Sequence, residues 1–376
     1  MTYSFEGVLP VGDDGHPGGK SYGFAWWLPV DTHPAASALV RARAGSQYGV
    51  PMSETRGHLE RRELRDVARA AFDGRELISV QRLRGGTKKG VYRLTLDNNT
   101  TSIAYVWNAD EDYWPAAFDQ DSSGPLDHAS GLDLFSAAHT VLSGIGIRVP
   151  RVIMLDTSGS LVPGEVAVLE DVRGGTLESL WERDPQRAEP VLARLGEAVQ
   201  TMHHHRSDWY GRPAADGSAD IAPVEHIVLN RALDHLSTSA ARVDRIAAVE
   251  QRIADTLRQR HATVAPRREY GLIHGELGPD HVLVDDCDEP VLIDIEGVMF
   301  FDVEWEHAFL ELRFGDRYRD LSAEDLDGDR LRFYRLAMYL SLVAGPLHLL
   351  DGDFPHRAAM RDIVAQNIRR TMSELS

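Results

Sequence analysis

Residues 272–297 read LIHGELGPDHVLVDDCDEPVLIDIEG. A short apolar run ending at Ile273 delivers His274-Gly275-Glu276. Gly278 and Pro279 turn the chain, Asp280-His281 follow, and residues 282–284 are apolar again. A second apolar run, 291–293, delivers Asp294 and then Glu296. Short aliphatic runs bounded by Gly, Pro and Asp are strand signals. Two strand ends therefore bring Glu276, His281, Asp294 and Glu296 near one another. Carboxylates with an imidazole suit Mg²⁺ where a phosphate is also present. A carboxylate at a strand end can also take a proton from a substrate hydroxyl. Asp294 closes an apolar strand, and a buried acid needs a partner. His281 has two readings, a metal ligand or a histidine that hydrogen-bonds the loop without touching metal.

Upstream, residues 76–83, 90–96 and 101–107 (ELISVQRL, GVYRLTL, TSIAYVW) read as three strands. The first two are joined by RGGTKKG and the second pair by the hairpin-type turn DNNT. Residues 131–145 read as a helix, and 149–155 and 166–172 as short buried strands. Residues 56–72 show apolar positions on one face and arginines on the other, which predicts a helix. From 176 onward the spacing is mostly helical, over 187–205, 224–259 and 330–349, with 272–297 as a strand-bearing insertion. Residues 1–55 are rich in Gly, Pro, Asp and Ser, with Phe24, Trp26 and Trp27 as aromatic islands, and take no regular assignment. The expected domains are an N-terminal extension (1–55), a helix and β-rich lobe (56–168) and a helical C-lobe (169–376). The fold class is α+β in two lobes, with a ligand cleft between them.

Composition bounds the partners. The chain has 376 residues, 43% of them hydrophobic, enough for a large core. Lys+Arg total 40 against 58 Asp+Glu, a formal charge of -18. Such a chain is a poor general binder of nucleic acid or anionic membrane. Cys287 is the one cysteine, so no intrachain disulfide and no four-cysteine zinc site can form. The start MTYSFEGVLPVGDDG has no basic segment with an apolar run after it. The apolar stretch 336–350 is interrupted by Ser341, Gly345, Pro346 and His348, short of the roughly 18 residues of a membrane span. A cytoplasmic protein with no nucleic-acid or membrane partner is expected. The run His203-His204-His205 points in diverging directions on a helix and is no chelating triad. Lysine occurs only at positions 20, 88 and 89, and two of these stand side by side in the glycine-rich joint.

Together these segments resemble the aminoglycoside phosphotransferase and choline kinase-like family of small-molecule kinases. His274-Gly275-Glu276 with His281 resembles that family's His-Gly-Asp-x-x-x-x-Asn loop. Ile293-Asp294-Ile295 resembles its metal-binding Ile-Asp stretch, and residues 300–310 (FFDVEWEHAFL) its continuation, with Asp302 matching and Glu306 near the structural aspartate. Arg84, Gly85, Gly86, Thr87, Lys88, Lys89 and Gly90 resemble the phosphate-covering loop. Glycines there let the backbone approach a phosphate. Glu170 to Val172 resemble the adenine-binding hinge, and Tyr210-Gly211 the dipeptide after the helix of residues 197–203. The resemblance spans about residues 74–310. It implies a two-lobe protein-kinase-like fold and ATP, or GTP in its place, with Mg²⁺. It also implies a small-molecule hydroxyl as acceptor. Glu276 and His274 take the catalytic positions. Gly85, Gly86, Thr87, Lys88, Lys89, Glu170 and Val172 take the nucleotide-binding ones, and Asp294, His281 and Glu296 the metal-binding ones.

The pattern departs from the family in three places. The third strand, SIAYVW, lacks the lysine that normally holds the nucleotide phosphates. Lys88 or Lys89 is the available substitute. The acidic partner on the first large helix is Asp133, or Glu111 or Asp112 earlier in the chain. Glu276 and His281 replace Asp and Asn. The alternative function is thus a kinase-like pseudoenzyme that binds a nucleotide or metabolite without turnover. The negative charge of the helical lobe suggests a cationic or sugar-like acceptor.

Overall fold

The computed structural model describes residues 56–83, 86–114, 124–127, 130–213, 222–323 and 325–375. The expectations for residues 1–55 and for Gly85 lie outside them.

Strands β1 (Leu77–Arg82), β2 (Gly90–Leu96), β3 (Thr101–Trp107), β4 (Val152–Asp156) and β5 (Glu165–Glu170) form one sheet. Its order is β1-β2-β3-β5-β4, with every neighbouring pair antiparallel. Strand β2 buries alternate residues, the period-2 pattern of a half-covered strand. Strand β3 is buried almost throughout because both its faces are covered. Ala104 and Val106 pack with Leu64 and Val67 on one side. Ile103, Tyr105 and Trp107 face α2 (Leu132–Gly144) on the other, where Tyr105 meets Phe135 edge to face at 5.9 Å. The near-continuous apolar run of this strand thus follows from its central place in the sheet. Glu165 on β5 accepts the Leu132 N–H at 2.9 Å and satisfies a free donor at the start of α2.

The helix expected over 56–72 is shorter, α1 (Arg65–Ala71). Tertiary bonds hold the preceding residues out of a helix. Arg56 pairs with Asp353 and donates to the Asp112 carbonyl, and the Leu59 N–H donates to the Tyr92 hydroxyl.

The helical lobe contains α3 (Leu177–Arg183) and α4 (Pro185–His204), each capped by a side chain, Thr176 and Asp184. The helix expected over 224–259 is three: α5 (Val224–Ala240), α6 (Asp244–Ala247) and α7 (Glu250–His261). The chain turns after α5 with the Arg242 and Val243 N–H groups both on the Ser239 carbonyl. The turn carries Arg242 to Asp351 and buries Val243 and Ile246.

Between these helices lie the small sheet β10-β7-β6 and the hairpin of β8 (Val282–Val284) with β9 (Pro290–Leu292). The sheet strands are β6 (Arg206–Ser207), β7 (Tyr270–Ile273) and β10 (Met299–Phe301). Helices α8 (Val303–Phe314), α9 (Gly328–Leu349) and α10 (Arg357–Ser373) complete the lobe. Helix α9 is buried on nearly all sides, against α5, α7, α8 and α10, so it carries little amphipathic signal. Its Arg330 is buried and ion-paired with Asp302, which also accepts from Tyr334. Among the described residues no helix is long and apolar enough to cross a membrane.

Candidate active site

Strand β7 delivers the loop 274–281 to the mouth of the helical lobe. Gly275 has φ +90°, and a Cβ there would lie 3.0 Å from the Gly297 carbonyl, so the two functional loops touch backbone to backbone. Glu306 on α8 fastens the first loop from below by accepting the N–H groups of His274, Gly275 and Leu277. Burial raises the Glu306 carboxyl to about 7, although these three bonds pull the other way. His274 is fully buried and its Nε2 donates to the Ile293 carbonyl at 3.0 Å. Burial lowers the imidazole to about 4, so it is neutral, and its Nδ1 is left to face the Glu276 N–H. His274 therefore clamps the loop to the second strand and does not line the cleft.

His281 is also buried. Its Nδ1 donates to the Glu276 carbonyl at 2.7 Å, while Nε2 lies 3.6 Å from Asp294 Oδ2. Burial lowers its pKa, but Asp280 and Asp294 prevail and the net shift is upward. Asp280, which the sequence left without a role, is buried and ion-paired with Arg313. Asp294 adopts the left-handed conformation, φ 61° and ψ 47°. This is unusual for a residue other than Gly, and such strain gathers at functional sites.

Lys89 stands immediately before β2 and crosses to the helical lobe. Its Nζ donates to Asp294 Oδ1 at 2.7 Å and to Glu296 Oε1, and lies 4.8 Å above the Tyr105 ring on β3. Burial acts to lower this ammonium, but the two carboxylates raise it well above the usual lysine range. The same contacts hold Asp294 far below the usual carboxylate range against the burial that would raise it. The turn before Lys89 is tight: Gly86 has φ +81°, and a Cβ there would collide with the Lys89 carbonyl. It is anchored by the Tyr113 N–H on the Thr87 carbonyl and by Trp114 Nε1 on Thr87 Oγ1 at 2.9 Å. Lys88 projects into the cleft, where burial lowers it to about 8 and Glu276 opposes the shift. Glu276 itself reaches into the open cleft. The enclosing walls, then Asp294, raise its carboxyl, with Lys88 opposing.

At the far end, Glu170 closes β5 with its side chain on Arg148 and on the Arg151 N–H. Asp171 holds Arg93 through two bonds of 2.8 and 3.0 Å. The Val172 N–H that follows has no partner among the described residues.

Gly86, Thr87, Lys88, Lys89, Glu276, Asp294 and Glu296 thus line one cleft, with His281 behind Asp294 and His274 beneath. Asp133 is exposed and Glu111 is buried against Arg82, and the carboxylates that pair with Lys89 are Asp294 and Glu296. Among the described residues no group of three His, Cys, Asp or Glu is disposed around a metal position, and Lys89 bonds both Asp294 and Glu296. The donors nonetheless suit a hard cation: two carboxylates converge, and Glu296 Oε2 is buried without a hydrogen-bond partner. The sequence reading missed Arg212, Arg231 and Asp127, which line the same cleft. Arg212 directly follows Tyr210-Gly211, a usable signal; Arg231 is one arginine among many on a helix.

The sequence description of the Phosphotransferase enzyme family (APH) matches residues 79–338, about two thirds of the chain. The chain belongs to the phosphotransferase enzyme family. Solved structures share its fold at low identity. Aminoglycoside phosphotransferase APH(4)-Ia is 17% identical with a TM-score of 0.55, covering 82% of this chain and 98% of that one. Spectinomycin phosphotransferase APH(9)-Ia, solved with ADP and spectinomycin, is 12% identical with a TM-score of 0.53, covering 83% and 98%. The GDP and kanamycin complex of a third aminoglycoside phosphotransferase is 17% identical with a TM-score of 0.51, covering 82% and 96%. A search of curated proteins finds no match. The two-lobe, kinase-like arrangement expected from the sequence is therefore the fold of this family member.

Proposed function

We propose that this phosphotransferase-family chain transfers the γ-phosphoryl group of ATP to a hydroxyl of a small molecule. The observation that carries the reading is Lys89: it leaves the glycine turn of one lobe and meets Asp294 and Glu296 of the other beside Glu276. That arrangement answers the missing third-strand lysine, because Lys89 comes from the turn just before the neighbouring strand and lies over the β3 ring of Tyr105. It favours an enzyme over a pseudoenzyme.

Adenine would meet the free N–H of Val172. Lys88 and Lys89 would hold phosphate oxygens, with Lys89 leaving its carboxylates as the nucleotide enters. Asp294 and Glu296 would hold Mg²⁺, with His281 Nε2 beside them; the metal neutralises phosphate charge when bound. Glu276 orients the acceptor hydroxyl and takes its proton. The bond from the γ-phosphorus to the bridging oxygen breaks, a bond to the acceptor oxygen forms, and ADP and a phosphate ester leave. Phosphoryl transfer asks mainly for positioning and charge neutralisation, so a raised Glu carboxyl meets the need.

Calorimetry with ATP and with GTP, with and without Mg²⁺, tests the reading on wild type and Asp294→Ala. Binding that requires Mg²⁺ and falls in the variant is expected. Absence of binding by both nucleotides overturns it.

A further inference from the structure

Beyond Glu276 the cleft turns basic. Arg212 follows β6 and Arg231 lies on α5, and both line the cleft. Arg231 pairs with Asp127 Oδ1 at 2.9 Å, and the other Asp127 oxygen accepts the Gly124 N–H. Each oxygen of that carboxylate already accepts a bond. Among the described residues Arg212 reaches the Asp127 backbone carbonyl and no carboxylate within ion-pairing distance, and its buried Nε has no hydrogen-bond partner. Two guanidinium groups thus stand at Asp127 in a partly enclosed space, and only Arg231 pairs with its carboxylate. Burial lowers both arginines below their usual range despite Asp127, as expected for cations short of counter-charge. The lining also holds the apolar side chains of Trp305, Phe309 and Met338.

We propose that the acceptor carries an anionic group, a carboxylate or similar oxyanion, which Arg212 and Arg231 hold while its hydroxyl lies at Glu276. This rests on the phosphotransferase reading and departs from the cationic acceptor suggested by net charge. The charge of -18 belongs to the whole sequence, whereas the acceptor end of this cleft presents arginines. Guanidinium groups match planar oxyanions through paired N–H bonds. The γ-phosphate of ATP is the other oxyanion within reach. Position favours the acceptor: the carboxylates acting on both arginines include Asp127 and Glu276, whereas Lys89 is bonded to Asp294 and Glu296, and Lys88 stands between, acted on by Glu276, Arg212 and Asp294.

The test uses hydroxyl compounds in matched pairs, mandelate against phenylethanolamine and gluconate against glucosamine. Each is added at millimolar concentration to the protein with Mg²⁺ and a non-hydrolysable ATP analogue, and then with ATP. Thermal shift reads binding and ADP release reads transfer. The carboxylates should bind and the amines should not. Arg212→Gln and Arg231→Gln should each weaken the carboxylate response about ten- to hundredfold, and Arg231→Lys should restore part of it. Unchanged binding of the nucleotide analogue shows that the variants are folded. Preference for the amines, no response to either carboxylate, or a carboxylate response unchanged in both variants overturns the proposal. Weakened ATP with unchanged ADP affinity in the variants also overturns it, assigning the arginines to the γ-phosphate. Loss of all nucleotide binding in wild type sinks the phosphotransferase reading instead, and carboxylate binding without nucleotide would still stand.

Discussion

Lys89 carries two charges' worth of attraction across the cleft, and its own charge cannot be supplied by β3. Lys89→Ala should lower kcat/KM for ATP by about 10²–10³-fold, the usual loss for one preorganised cation or donor at a developing charge. Steady-state ADP release measures it. The same substitution leaves Asp294 and Glu296 facing each other, so it should not raise thermal stability. At Glu276 the arm is one methylene longer than an aspartate. The loop backbone is held by Glu306 beneath and by His281 on the Glu276 carbonyl, so it does not advance to carry a shorter arm to the same point. Glu276→Asp should therefore lose activity, by about 10²-fold for a displacement of roughly 1 Å, and Glu276→Gln should lose more. A gain with aspartate would show that the site is built for the shorter acid.

At the scale of elements, the first loop hangs on a single side chain from α8. Glu306→Ala leaves three loop N–H groups without their acceptor. A cost of about 1–3 kcal/mol per unsatisfied buried group is the ordinary range. Urea unfolding should show a loss of that order, with KM for nucleotide rising as the loop loosens. Strands of the N-terminal sheet were readable, because runs of apolar and β-branched residues between turn residues leave few alternatives: the expected 90–96 and 101–107 coincide with β2 and β3. Helix ends were less readable. Residues 56–64 have a helical apolar spacing, but Arg56 and Leu59 find partners on distant segments that outweigh it. The break after α5 has no proline or glycine to announce it; the pull of Asp351 on Arg242 and the burial of Val243 decide it.

For the whole molecule, buried polar groups set the response to mutation and acid. Arg330 on α9 joins Asp302, Tyr334 and the Ala265 carbonyl inside the helical lobe. Arg330→Ala leaves the Asp302 charge buried beside Arg267 alone and should cost about 3–5 kcal/mol, seen as a large fall in Tm. His203 and His307 face each other at 5.1 Å between ring centres. Burial lowers them to about 3 and about 4. The unfolded chain protonates these rings near the ordinary 6.5, before the folded chain can. Stability is thus present above pH 6.5 and is lost as pH falls from there toward 4, at up to about 1.4 kcal/mol per pH unit for each ring. Unfolding midpoints at several pH values would read this slope, and it should flatten in the His203→Leu, His307→Leu double variant.

The sequence by itself determined where strands β2 and β3 run along the chain, the loop carrying Glu276 and the loop carrying Asp294, and the presence of two lysines in a glycine turn. These are local facts: periodicity, turn residues and spacing along the chain fix them. Only the tertiary structure decided which lysine crosses the cleft, that His274 and Glu306 fasten the loop from behind, and that Arg212 and Arg231 meet at Asp127 in the same cleft. Those facts join residues about a hundred positions apart or more, or depend on which side of an element is buried. Charge and side-chain type along the chain do not encode such neighbours. The packing of α5, α8 and α9 around the cleft does.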